Sequence, residues 1–143
     1  MEPLQPISCL SVHRSALFRP LFLETITAGF PSPAEEYIDA GIDLNEQLIL
    51  NPSSTFFLRV SGQSMTGVGI HHNDLLVVDR SLDPQPGKIV VAILDGEFTV
   101  KQLKYHHGGA FLEAHHPSYP TIDLRHYGDV QIWGVATYAI HSL

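Results

Sequence analysis

At 143 residues the chain is most simply one domain with room for a true core, and 44% apolar against 16% charged residues excludes a disordered protein. A net charge of −7 argues against a basic surface that grips phosphates, so direct sequence-specific DNA binding is not expected. One cysteine, Cys9, leaves no internal disulfide. No run approaches the roughly 18 apolar residues of a membrane span, and His13, Arg14, Arg19, Pro20 and Glu24 break up any secretory signal, so the chain reads as soluble and cytoplasmic.

Residues 1–42 hold Pro3, Pro6, Pro20, Pro31 and Pro33 and sustain neither helical nor strand periodicity. Proline removes ladder donors and forbids long helices, which predicts an extended N-terminal arm. Leu17, Phe18, Leu21, Phe22, Leu23, Ile26 and Phe30 make that arm too apolar for a free tail. The plainer reading is a weak edge strand with its loops. Asp43-Leu44-Asn45-Glu46 has the spacing of a capping box and predicts a short helix through about Leu50, ended by Asn51-Pro52.

From residue 43 onward the chain is expected to be one β-rich domain. Strands are predicted at Thr55–Val60, Leu75–Asp79, Lys88–Leu94, Glu97–Tyr105, Ala110–Ala114 and Val130–His141. Asp95-Gly96 is a two-residue hairpin signal, because both turn positions need positive φ, and His107-Gly108-Gly109 marks the next turn. Consecutive hairpins predict a meander within a small, highly curved antiparallel β-domain.

Two residues stand out chemically. Ser64 falls where a β-prone stretch gives way to a glycine-punctuated loop, a setting that fixes and exposes a nucleophile but also suits an ordinary loop serine. Lys101 shares one face of its strand with Thr99 and Leu103. It is either a solvated strand lysine or a general base for Ser64. A free lysine is neutral in only roughly one part in 2,000 at pH 7, so the second role requires a dry pocket, with Thr99 offering its hydroxyl to the amine. Thr66 occupies the second glycine position of a nucleophile elbow, and no S-x-x-K motif occurs, which disfavours those serine enzymes. His71-His72, His106-His107 and His115-His116 fall at predicted turns, where adjacent side chains diverge, so no metal site is expected. Asp79, Asp95 and Glu97 read as turn and surface carboxylates. Phe56, Phe57, Trp133 and Tyr138 read as core or dimer surface.

Ser61-Gly62-Gln63-Ser64-Met65 resembles the nucleophile segment of the LexA and UmuD family of self-cleaving proteins, and Phe98-Thr99-Val100-Lys101-Gln102-Leu103 resembles its lysine strand. Ala28-Gly29-Phe30-Pro31-Ser32-Pro33-Ala34 looks like the cleavage segment of UmuD-type members, and Ile42-Asp43-Leu44-Asn45 is close to their next block. The likeness runs from about Pro20 onward. It departs at Ala28, where UmuD has cysteine, and at Gln63, where aspartate is familiar. The resemblance implies a fold of the LexA and signal-peptidase type, an arm (1–42) carrying the cleavage site and a catalytic, dimerising domain (43–143). It implies a Ser64–Lys101 dyad steadied by Thr99, an oxyanion site at the backbone N–H groups of Gln63 and Ser64, and autoproteolysis between Ala28 and Gly29 without metal or cofactor. LexA-type repressors place a DNA-binding domain before the scissile bond; only 28 residues precede it here, which favours the UmuD type. Implied partners are a second copy of the chain, the RecA–single-stranded DNA filament and a UmuC-type error-prone DNA polymerase. A non-catalytic module of the same fold binding polymerase and RecA is the alternative. A signal-peptidase-like enzyme acting on other proteins fits less well, given an internal bond and no anchor.

Overall fold

A computed structural model of the protein describes residues 17–23, 25–31, 33–34 and 41–143. The expectations for Pro3, Pro6, Cys9 and Ser32 fall outside the described residues. Two compact units divide the chain, Met1–Gln47 and Leu48–Leu143. In the first, strands β1 (Phe18–Arg19) and β2 (Ile42–Asp43) pair antiparallel, with Phe18 opposite Asp43 and Arg19 opposite Ile42. Helix α1 (Leu44–Leu48) follows, and the Asp43 carboxylate accepts the Asn45 N–H at 3.1 Å, as a capping residue does. The helix stops two residues short of the predicted end. Pro52 disfavours helical backbone at Asn51, which lies outside the helical region at φ −124° and ψ 84°, and a 3₁₀ turn, Pro52–Ser54, leads into the sheet.

The second unit is a seven-stranded antiparallel sheet of β3 (Thr55–Arg59), β4 (Leu75–Asp79), β5 (Ile89–Leu94), β6 (Glu97–His106), β7 (Gly109–Glu113), β8 (Ile122–Asp123) and β9 (Val130–Ile140). The six predicted strands are present, each with its ends within two residues of expectation. The spatial order is β3-β4-β9-β5-β6-β7-β8, so the predicted meander survives as β5-β6-β7 and continues into β8. Asp95 and Gly96 have φ of 46° and 87°, and His107 and Gly108 of 49° and 75°, the left-handed pairs that tight hairpins demand.

The unbroken apolar run of β5 is explained by its position. Ile89 and Val91 pack with Val60, Met65, Ile70, Leu76 and Val78 on one face, while Val90, Ala92 and Leu94 pack with Leu103, Leu112 and Val135 on the other. A strand covered on both faces has no polar side to alternate with. β9 lies between β4 and β5 and bulges twice, with Thr137 extra against β4 and Trp133 extra against β5. Bulges sharpen local twist and bend the strand, which supplies the curvature expected of this sheet. Between them Gly134 lies so close to β4 that a Cβ would sit 2.6 Å from Val78 Cγ1. Gly134→Ala is therefore expected to destabilise the fold by about 1–3 kcal/mol, read from the urea midpoint.

Candidate active site

The loop after β3 is closed at its base by backbone bonds, Val60 N–H to Asp74 O at 2.9 Å and Asn73 N–H to Val60 O at 2.8 Å. Gly62 turns the chain with φ of 95°, a conformation in which a side chain is strained, and its N–H donates to His72 Nδ1 at 3.0 Å. Met65 is 1% exposed and belongs to the core, where its carbonyl accepts both Val68 and Ile70 N–H groups at 3.2 Å. An apolar anchor directly after Ser64 thus holds the serine at the core's rim. Neither the Gln63 nor the Ser64 N–H has an acceptor among the described residues.

Lys101 reaches Ser64 from β6. Its Nζ lies 2.9 Å from Ser64 Oγ, 2.9 Å from Thr99 Oγ1 and 3.1 Å from the Val100 carbonyl. Opposite Lys101 in the β5–β6 ladder stands Val90, and the lysine is only 7% exposed. Among the described residues no carboxylate lies within ion-pair distance of it. Burial pushes its pKa down from 10.5, because removing water disfavours the charged amine. Lys88 is exposed, and Lys104 stands opposite Phe111, one residue out of phase with Lys101.

The pair lies in a cleft of about 220 Å³ whose apolar walls include Leu58, Leu76, Val91, Phe98 and Val100. β3 and β6 are first and fifth in the strand order, so only a sheet that curls back brings both to one cleft. Ala28 and Gly29 belong to the other unit, in a bend where Thr27 Oγ1 donates to Phe30 O at 2.7 Å.

Some expectations change. Asp79 is a turn carboxylate as expected but not a surface one: it is 4% exposed and accepts from Asn51 Nδ2 at 2.7 Å, Ser54 Oγ at 2.8 Å, and the Ser81 N–H and Oγ at 2.8 and 2.7 Å. Asp-x-Ser after a strand is an Asx-turn pattern, the signal that could have revealed it. Trp133 packs partly against the core and is flanked by Phe56 and Phe98 at 5.4 and 5.7 Å, with the Arg80 guanidinium 4.6 Å above its ring. His72 and His115 each contact the loop around Ser64, a role no sequence feature announces. Among the described residues no three His, Cys, Asp or Glu side chains are placed to hold a metal, and no helix is long and apolar enough to cross a membrane.

Residues 20–137 match the family described as peptidase S24-like. The chain is similar to protein SamA of Salmonella typhimurium, 47% identical over 123 residues that cover 86% of this chain and 85% of that protein. It is similar to protein ImpA of Shigella flexneri, 48% identical over 123 residues, 86% of this chain and 83% of ImpA. The LexA repressor of Verrucomicrobium spinosum is 37% identical over 126 residues, 87% of this chain and 60% of the repressor. With a match of that extent and relatives at those identities, the chain belongs to the peptidase S24-like family, the LexA and UmuD family that its serine and lysine motifs resemble.

Proposed function

We propose that the protein is a UmuD-type serine peptidase that cleaves itself between Ala28 and Gly29 and then serves translesion DNA synthesis. The observation that carries this reading is the 2.9 Å contact between Lys101 Nζ and Ser64 Oγ in a buried setting. Neutral Lys101 has two hydrogens for Thr99 Oγ1 and the Val100 carbonyl, which leaves its lone pair for the Ser64 hydroxyl proton. As that proton moves to Nζ, Ser64 Oγ bonds to the Ala28 carbonyl carbon, and the oxyanion takes hydrogen bonds from the Gln63 and Ser64 N–H groups. Gln63 acts here through its backbone, so its side-chain identity matters little. Collapse breaks the Ala28–Gly29 bond as Lys101 returns the proton to the Gly29 nitrogen. Water then gives a proton to Lys101 as its oxygen bonds to the acyl carbon, and collapse breaks the bond to Ser64 Oγ, to which Lys101 returns the proton, freeing the Ala28 carboxylate. Holding the scissile bond in the same polypeptide substitutes proximity for substrate affinity.

In this reading residues 1–42 are the arm that presents the bond and residues 43–143 the catalytic and dimerising domain. The working form is a cytoplasmic homodimer, cleavage is stimulated by the RecA–single-stranded DNA filament, and the product beginning at Gly29 joins a UmuC-type polymerase. Kinship with SamA and ImpA supports this assignment.

Mass spectrometry of purified protein held at mildly alkaline pH tests it. The expected result is loss of the fragment Met1–Ala28, absent in Ser64→Ala and in Lys101→Ala. A mass unchanged under alkaline conditions and with the RecA filament overturns the peptidase reading and favours a non-catalytic module.

A further inference from the structure

The loop carrying Ser64 is tied to the lysine strand by a second route. The main chain of His115 brackets that loop: its N–H donates to the Ser64 carbonyl at 2.7 Å, and its carbonyl accepts the Gly67 N–H at 2.8 Å. Gly67 fits so tightly there that a Cβ would lie 2.7 Å from the His115 oxygen. The ring of His115 is held in turn. Gln102 Nε2 donates to Gly87 O at 2.8 Å, which orients the amide so that Oε1 meets His115 Nε2 at 2.6 Å. An amide oxygen only accepts, so His115 carries a proton on Nε2. Gln102 directly follows Lys101 and pairs with Glu113 across β6 and β7, which brings residue 115 back over the loop.

We propose that His115 and Gln102 are positioning residues that hold the Ser64 loop in register with Lys101. This rests on the reading of Ser64 as the nucleophile. Anchoring the Ser64 carbonyl and the Gly67 N–H to one residue fixes the main chain of residues 64–67, and a shift of that chain would carry the Ser64 Oγ and N–H away from their targets. A displacement of about 1 Å at a reacting atom costs on the order of a hundredfold in rate. Lys101 Nζ contacts Ser64, Thr99 and Val100 but not His115 or Gln102, so the couple sets the height of the pH–rate plateau rather than its midpoint.

The test compares self-cleavage rates, followed by mass spectrometry across alkaline pH, for wild type, Gln102→Ala, His115→Ala and His115→Gln, each confirmed folded by thermal melting. Both alanine variants are expected to lose about 10- to 100-fold in plateau rate with an unmoved midpoint, and His115→Gln, whose amide can donate to Gln102, to recover to within about threefold. Labelling of Ser64 by a fluorophosphonate should follow the same order. Folded alanine variants that cleave at the wild-type rate, or a His115→Gln as slow as His115→Ala, overturn the proposal. A wild type that neither cleaves nor labels overturns the nucleophile reading instead. In that case amide exchange at Gly67 decides the couple: about tenfold faster exchange in Gln102→Ala supports it, and unchanged exchange overturns it.

Discussion

Lys101→Met is expected to cut self-cleavage by about 10²- to 10⁴-fold, the range a general base supplies, and at the same time to make the fold more stable at neutral pH. The two effects share a cause. Burial pushes the folded-state pKa of Lys101 below its ordinary 10.5, so between those two values the unfolded chain binds a proton that the folded chain gives up. Stability therefore rises with pH through that window and is fully penalised below it. Methionine fills a similar volume without the charge, which removes the penalty. Urea unfolding at pH 7 and pH 10, in the Ser64→Ala background to prevent cleavage, should show a rise for lysine and a flat response for methionine. Equal responses would falsify the claim that the amine is held against its solvation preference. On the proposed mechanism the same lowered pKa also sets the pH dependence expected of the wild type. Cleavage needs the neutral amine, so its rate should climb about tenfold per pH unit and level off below pH 10.5.

Asp79→Ala is expected to cost about 3 kcal/mol, a large loss for a single polar side chain outside the cleft. Burial alone would push the Asp79 carboxyl up. Hydrogen bonds from Asn51, Ser81 and Ser54 outweigh it and hold the group well below the usual carboxylate range. These bonds join the turn entering β3 to the end of β4, where Arg80 N–H also donates to Ser54 O at 2.9 Å. Removing the carboxylate, itself only 4% exposed, takes the shared acceptor from Asn51, Ser54 and Ser81 and unties the two segments it joins. The sign with pH is opposite to that of Lys101. A depressed acid stabilises fully above the unfolded value of 3.8 and loses that contribution as pH falls through the folded value. Asp79→Asn should therefore flatten the acid side of the stability curve. Unfolding midpoints at pH 7 and pH 3 that shift equally in wild type and variant would show that Asp79 is not the group lost.

Much of this was legible in the chain itself. β-branched and apolar stretches between turn residues located six strands, since side-chain alternation and positive-φ turns act over a few neighbours. Asp95-Gly96 set one hairpin, and with it the register that places Lys101 opposite Val90. The serine and lysine segments were recognisable at their separation of 37 residues. The two-residue strand β8 was not, because so short a ladder leaves no period to detect.

Tertiary structure decided what depends on distant partners. The insertion of β9 between β4 and β5 is a pairing across more than thirty positions, and no local pattern encodes which strands accept it. That insertion, with its bulges at Trp133 and Thr137, bends the sheet so that β3 and β6 wall one cleft. Burial of Asp79 and the contacts of His115 likewise follow from packing. Sequence determined which residues carry reactive groups and which segments extend. Whether an amine 37 positions away stands dry beside a hydroxyl was settled by the curl of the sheet, because desolvation belongs to the assembled surface and not to any residue alone.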